Sequence, residues 1–487
     1  MQHQKLFDLL AQLDSQEQRS LGGYLQLVGA PALLTDLLQA LLAHHPGYAL
    51  DAAACRALSA QLWPDSAYRP ARLRNRLSQL YQLAMGYLAA QALRRDEPLQ
   101  QRLALGELQQ RRLSRNFEIE LKATRRQAEE APQITSEGFF HRYHLAELAN
   151  SYYGLRELRT EDDSLLQKLH WLDHYYYLVL LRESCELLNR SQILGAAYAE
   201  QVPFERLAHI PTQPGLWAVP LIRAYYLVLS MLRQSSDPEP FRQLKALLAE
   251  AGTRFLPEEA RALYRHAQNY CIRRINQGQP QYLAEVLELY QAQLQAGIIF
   301  VQGQLPHTDF KNITTAALRL KQFEWVQDFL ERYRERVPPE QRDNVYQFCR
   351  ASFHYESGQH DQVLRLLRTV SFSDDLYQIS ARLLLLRTLY ETGDHESLAY
   401  SIDALGHYLK RNRSLSRALR QQHLHFLQHL RRLNRLAEQT PRPVNPETWQ
   451  TQLERLRDAL QSTQGVSHLS WLRGQVQALA EQAWHAG

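Results

Sequence analysis

Between residues 307 and 413 the chain repeats one pattern three times: an amphipathic run of helical period, a break, and a second such run. The breaks fall at Lys321, Gly358 and Gly393, spaced by 37 and 35 residues. Around Gly358, Ala351 and Tyr355 precede the break, and Val363 and Leu367 follow it. Around Gly393 the matching places hold Leu386, Tyr390, Leu398 and Ile402. One unit earlier, Thr314 and Leu318 precede Lys321, Val326, Leu330 and Tyr333 follow, and the run stops at Pro338. A two-helix unit cannot bury its apolar stripe alone, so such units must stack on their neighbours. A glycine at the break accepts the left-handed backbone that ends a helix, and Pro338 with Pro339 withholds the amide hydrogens that a continuing helix needs.

A two-helix unit recurring at about 34 residues resembles the tetratricopeptide-repeat family. The resemblance is clearest over 307–413 and extends in degraded form over 140–306, with the Trp, Leu and Gly of the family's first helix poorly kept. It implies an all-α fold, a TPR-like α-solenoid of helix–turn–helix units. Composition points the same way: the chain is 45% hydrophobic and 22% charged with only 20 Gly and 20 Pro, and alternating β-branched runs are nearly absent.

Along the chain, an N-terminal helical module is expected over 1–95, with helices near 16–27, 31–44, 51–63 and 69–93. The mixed-charge stretch 97–130 reads as an exposed connecting helix, and 131–138 as a hinge, so that 96–138 joins the module to a repeat array over 139–437. A Pro-rich break at 438–448 precedes two short helices, about 447–462 and 466–484, expected to cap the array within 438–487. The dense aromatics from Phe139 to Tyr177 read as fillers between stacked helices.

Two basic clusters stand out. Arg69, Arg72, Arg74 and Arg76 gather where a helix begins after the Leu62–Pro64 turn. LWPDS followed by ARLRNRLSQL is similar to the helix–turn–helix half of the winged-helix domain in bacterial transcriptional activators that also carry tetratricopeptide repeats, with Leu62, Trp63, Pro64, Arg74, Leu77, Ser78 and Leu80 matching in kind. That resemblance implies contacts of the Arg cluster with nucleic acid. It covers about 20 residues, and the following segment continues as helix where the family has a β-hairpin wing. The second cluster, 410–435, has eight basic side chains and no acidic one. On a helix Arg413, Arg417, Arg420, Arg431 and Arg435 share an arc of about 60°, opposite Leu415, Leu419, Phe426, Leu430 and Leu433. Such a face is either an anion-binding stripe or a solvated surface paired with acids elsewhere.

Chemistry-bearing motifs are few. The chain has no GxxxxGK[ST] loop, no GxGxxG and no GxSxG elbow. His170 and His174, and likewise His425 and His429 with His423 nearby, have the spacing of paired metal ligands, but no third ligand is identifiable. No catalytic, metal or cofactor site is therefore assigned, and the chain reads as a non-enzyme. Cys55, Cys185, Cys271 and Cys349 form no CxxC pair, which fits a reducing compartment. The N-terminus lacks a signal-peptide pattern, and the longest apolar run, Tyr175–Leu181, is too short to span a bilayer. The expectation is a cytoplasmic adaptor that binds another protein through its repeat surface, with Lys321, Trp325, Arg350, His354, Arg382 and Arg387 as contributors. The alternative is a nucleic-acid-associated regulator using Arg69–Arg76, with the repeats as sensor.

Overall fold

The computed structural model describes residues 4–45, 47–48, 51–155, 163–194, 197–233, 236–369, 375–412, 415, 417–440, 444–462 and 465–485. Among these the chain forms 24 α-helices and short 3-10 turns, with no strand. It divides into two compact units, Met1–Leu180 and Leu181–Gly487.

In the first unit, α1 (Gln4–Ala11), α2 (Ser15–Leu27), α3 (Ala32–Leu42), α4 (Ala52–Leu62) and α5 (Pro70–Arg95) pack around one core. Leu10, Leu21, Leu25, Leu37 and Leu80 are fully enclosed in it, and Trp63 and Leu77 join them. Local chemistry sets the boundaries. Asp14 caps α2 through Gln16 N and Glu17 N, and Glu17 returns a carboxylate to the Asp14 amide, a capping box. Pro70 opens α5 at a position whose amide hydrogen would go unused.

The polar stretch 97–130, read as one helix, is two: α6 (Glu97–Gln110) and α7 (Ser114–Glu130). Arg112 sits between them at φ 59°, and Leu113 N reaches back to Leu108 O. This is the closing bond of a Schellman turn made without glycine. The two helices pack on each other and on α8 (Ser136–Leu155), burying Leu105, Phe117 and Leu121. α9 (Ser164–Leu194) follows, and the division between units falls within it. In the first unit the dense aromatics do fill space between helices: Phe139 stacks near Trp171 at 6.1 Å and Phe140 meets Tyr175 at 5.1 Å.

The second unit continues through α10 (Phe204–Leu207), α11 (Pro214–Trp217), α12 (Pro220–Arg233), α13 (Glu239–Ala251), α14 (Pro257–Asn276), α15 (Tyr282–Gln295), α16 (His307–Arg319) and α17 (Phe323–Tyr333). It ends with α18 (Pro339–Glu356), α19 (His360–Thr369), α20 (Asp375–Glu391), α21 (His395–Arg411), α22 (Arg417–Ala437), α23 (Pro446–Ser462) and α24 (Leu469–His485). From α12 onward helices pack on their chain neighbours, and α16 also packs on α18, as α18 does on α20.

The three repeat breaks share one backbone solution. Lys321, Gly358 and Gly393 lie at φ 57°, 76° and 73°. In each, the next amide bonds back five residues: Gln322 to Ala317, Gln359 to His354, Asp394 to Leu389. Gly278, between α14 and α15, repeats the geometry at φ 86° with Gln279 bonded to Arg274. Side chains also link successive pairs: Lys321 Nζ meets Glu356 at 2.9 Å and the Tyr355 hydroxyl donates to Glu391 at 2.6 Å. The terminal helices α23 and α24 lie close to the expected bounds and enclose Leu456, Leu460 and Leu472 against α22.

Candidate functional site

The N-terminal Arg cluster stands at the start of α5. Arg69, Arg72 and Arg74 are exposed and Arg76 half-buried. The Arg72 guanidinium lies 4.2 Å from the centre of the Trp63 ring, and Arg76 donates to Gln79 at 2.7 Å. None of the four forms an ion pair among the described residues. The first turn of α5 carries no acid. Cations there oppose the positive end of the helix dipole, an arrangement that costs stability unless an anion completes it. Trp63, Leu77 and Leu80 are core residues that fix the α4–α5 angle.

The second basic cluster is divided. α21 ends at Arg411 and α22 starts at Arg417, and Arg413 lies outside the described residues. Lys410 and Arg411 complement the negative end of α21. Arg420 donates to the carbonyls of Asn412 and Leu415 at 2.8 and 3.2 Å. Arg431 pairs with Asp403 on α21. Arg417 and Arg435 are exposed on α22, while Leu415, Phe426, Leu430 and Leu433 are buried and Leu419 packs against them.

The six repeat-face residues fall in separate settings, each with an intramolecular contact. Lys321 pairs with Glu356, and Trp325 stacks on Phe329 at 5.3 Å. The Arg350 guanidinium lies 5.8 Å from the Tyr346 ring, Arg382 4.5 Å from Tyr408, and Arg387 4.4 Å from Tyr355. The His354 ring nitrogen Nδ1 meets Gln359 Oε1 at 2.7 Å. Lys321 is exposed and the others are half-buried.

No protein-family model, curated protein or solved structure matches the chain.

One surface was missed by the sequence reading. On α9 the side chains of Leu165, Leu166, Leu169, Leu172 and Tyr176 are 51, 67, 53, 39 and 39% exposed. Leu165, Leu169, Leu172 and Tyr176 follow the 4-3-4 spacing of a coiled-coil seam. His174, Leu178, Leu181, Cys185 and Leu188 form a second seam of the same spacing, and that one is buried. At about 100° per residue the two seams lie on opposite sides of the helix. The spacing was readable, but two equivalent seams give no local sign of which one faces inward.

Three of the four cysteines, Cys185, Cys271 and Cys349, are buried. Burial pushes the Cys271 and Cys349 thiols up to about 12, and Cys185 rises for the same reason. The His170–His174 pair is used locally: His174 Nδ1 meets the His170 carbonyl at 2.7 Å. Among the described residues no three His, Cys, Asp or Glu side chains converge as a metal site, and no helix is long and apolar enough to cross a membrane.

Proposed function

We propose that this chain is a non-catalytic cytoplasmic adaptor whose partner is an amphipathic helix of another protein. The observation that carries the reading is the apolar stripe on α9. A contiguous row of large exposed apolar side chains at seam spacing is uncommon on a monomer and fits a helix laid alongside. We read the second unit as a divergent tetratricopeptide-type solenoid. Recurrent left-handed turns and packing between chain neighbours support that reading. In the test, a photo-crosslinking residue replaces Leu169 in the full chain. A discrete cross-linked protein is expected, lost when Leu166→Glu and Leu172→Glu are added, with the thermal midpoint unchanged. Cross-linking that persists through both charges sinks the reading.

A second reading has its own observation. The unpaired Arg cluster on α5 invites phosphate oxygens, as in a nucleic-acid-associated regulator. It predicts binding to duplex DNA that weakens steeply with salt and disappears in the Arg72→Glu, Arg74→Glu double variant. Absence of DNA and RNA binding at low salt ends it.

A further inference from the structure

In the second unit, a cavity of about 230 Å³ opens where α14, α15 and α16 meet. Arg265, Gln268 and Asn269 of α14 face it from one side, Tyr290 and Gln293 of α15 from another, and Asp309 of α16 from the third. The spacing of 265, 268 and 269 puts these three on one helix face. Gln268, Tyr290 and Gln293 are buried, Asn269 and Asp309 half-buried, and Arg265 exposed at the mouth, so the polar groups that need an explanation are the buried ones. The first-turn position of Asp309 explains an acid near the start of α16. It does not explain two buried glutamines opposite.

The charges set the ligand. Asp309 and Arg265 are near enough to interact, since Arg265 opposes the rise that burial imposes on the Asp309 carboxyl. Yet no nitrogen of Arg265 comes within 4.0 Å of a carboxylate oxygen of Asp309. Neither side chain has another hydrogen-bond or ion-pair partner among the described residues. An anionic and a cationic group thus face one small polar cavity without pairing. Gln268 Nε2 donates to Gln293 Oε1 at 2.6 Å, which leaves the Gln268 carbonyl and the Gln293 amide hydrogens available. The rim is held in place beforehand. Arg261 donates to the carbonyls of Ile298 and Phe300 at 3.1 and 3.3 Å, fixing the loop between α15 and α16.

We propose that this cavity binds a free α-amino acid, with its ammonium on Asp309, its carboxylate on Arg265 and a polar side chain against the glutamine pair. Arg265 is exposed and Asp309 half-buried at the mouth of the cavity, so a purely cationic ligand would engage only Asp309 and a purely anionic one only Arg265, whereas an α-amino acid engages both.

The test is calorimetry on the full chain with each of the twenty L-amino acids at millimolar concentration. Every hit is compared with its decarboxylated amine and its deaminated acid. At least one amino acid is expected to bind, and both truncated analogues to bind about tenfold weaker or worse, as loss of a charged hydrogen bond implies. Asp309→Asn and Arg265→Gln are each expected to weaken binding by a similar factor while the ligand-free thermal midpoint holds. The proposal is overturned if none of the twenty binds, or if both variants bind like the wild type. Should a variant fail to fold, the analogues decide on the wild-type chain: equal binding of either one removes the assignment.

Discussion

The two units handle their charged and apolar side chains in opposite ways. In the first, the Arg69–Arg76 cluster has no acid partner among the described residues and the Leu165–Tyr176 stripe of α9 is exposed. In the second, two arginines of a longer, sparser basic cluster find partners within the fold: Arg420 donates to the Asn412 and Leu415 carbonyls and Arg431 pairs with Asp403 at the surface, while Arg417 and Arg435 stay exposed. A run of arginines therefore measures charge, not availability. What decides availability is whether an acid or a free carbonyl lies within reach in three dimensions.

The contrast can be tested within α9 itself. Leu181→Ala, at a fully buried position, should cost about 2–5 kcal/mol, whereas Leu169→Ala on the exposed stripe should stay within about 0.5 kcal/mol. Chemical denaturation followed by tryptophan fluorescence reads both, and equal effects would erase the distinction between the seams.

Acid should act on both units. Burial, reinforced by Arg102 and Arg142, lowers His141 to about 4, and burial with Arg265 and Arg273 lowers His266 to about 4 against the pull of Glu186. Each stays neutral in the fold while the unfolded chain takes up a proton near pH 6.5. Their contribution is complete above pH 6.5 and is lost as pH falls toward about 4, by up to roughly 1.4 kcal/mol per pH unit for each ring. The prediction is a thermal midpoint that declines across that window, with a shallower decline in His266→Asn. A midpoint flat from pH 7 to 4 would contradict it.

The repeat turns give a smaller effect of both signs. A Cβ at Gly358 would meet open space, so Gly358→Ala suffers only from its positive φ and should destabilise by about 1 kcal/mol. Lys321 already bears that strain, so Lys321→Gly should stabilise by up to about 1 kcal/mol despite losing the Glu356 pair. Arg72→Glu with Arg74→Glu should not destabilise and should add up to about 1 kcal/mol, since acids suit the positive end of α5. A large loss there would mean that these exposed arginines hold the fold rather than await an anion.

Much of the helix layout was legible because its signals are local. Asp14 with Glu17, Pro70 after the Trp63 turn, and Pro338–Pro339 each mark a boundary through bonds made within a few residues. The equivalence of Lys321 with Gly358 and Gly393 was readable from spacing, and the shared left-handed backbone bears it out. The break at Arg112 was not, because an arginine in that conformation carries no sequence signature, whereas a glycine would have.

The sequence by itself determined that the chain is helical and, through caps, prolines and repeat breaks, where several helices begin or end. It also supplied the basic residues of both clusters. Only the tertiary structure decided which seam of α9 is covered, which arginines find an acid or a carbonyl, and that Arg265, Gln293 and Asp309, from three helices, face one cavity. The physical reason is range. Capping, propensity and periodicity act over one or two turns, while burial and charge pairing depend on side chains tens of residues apart, such as Arg431 and Asp403.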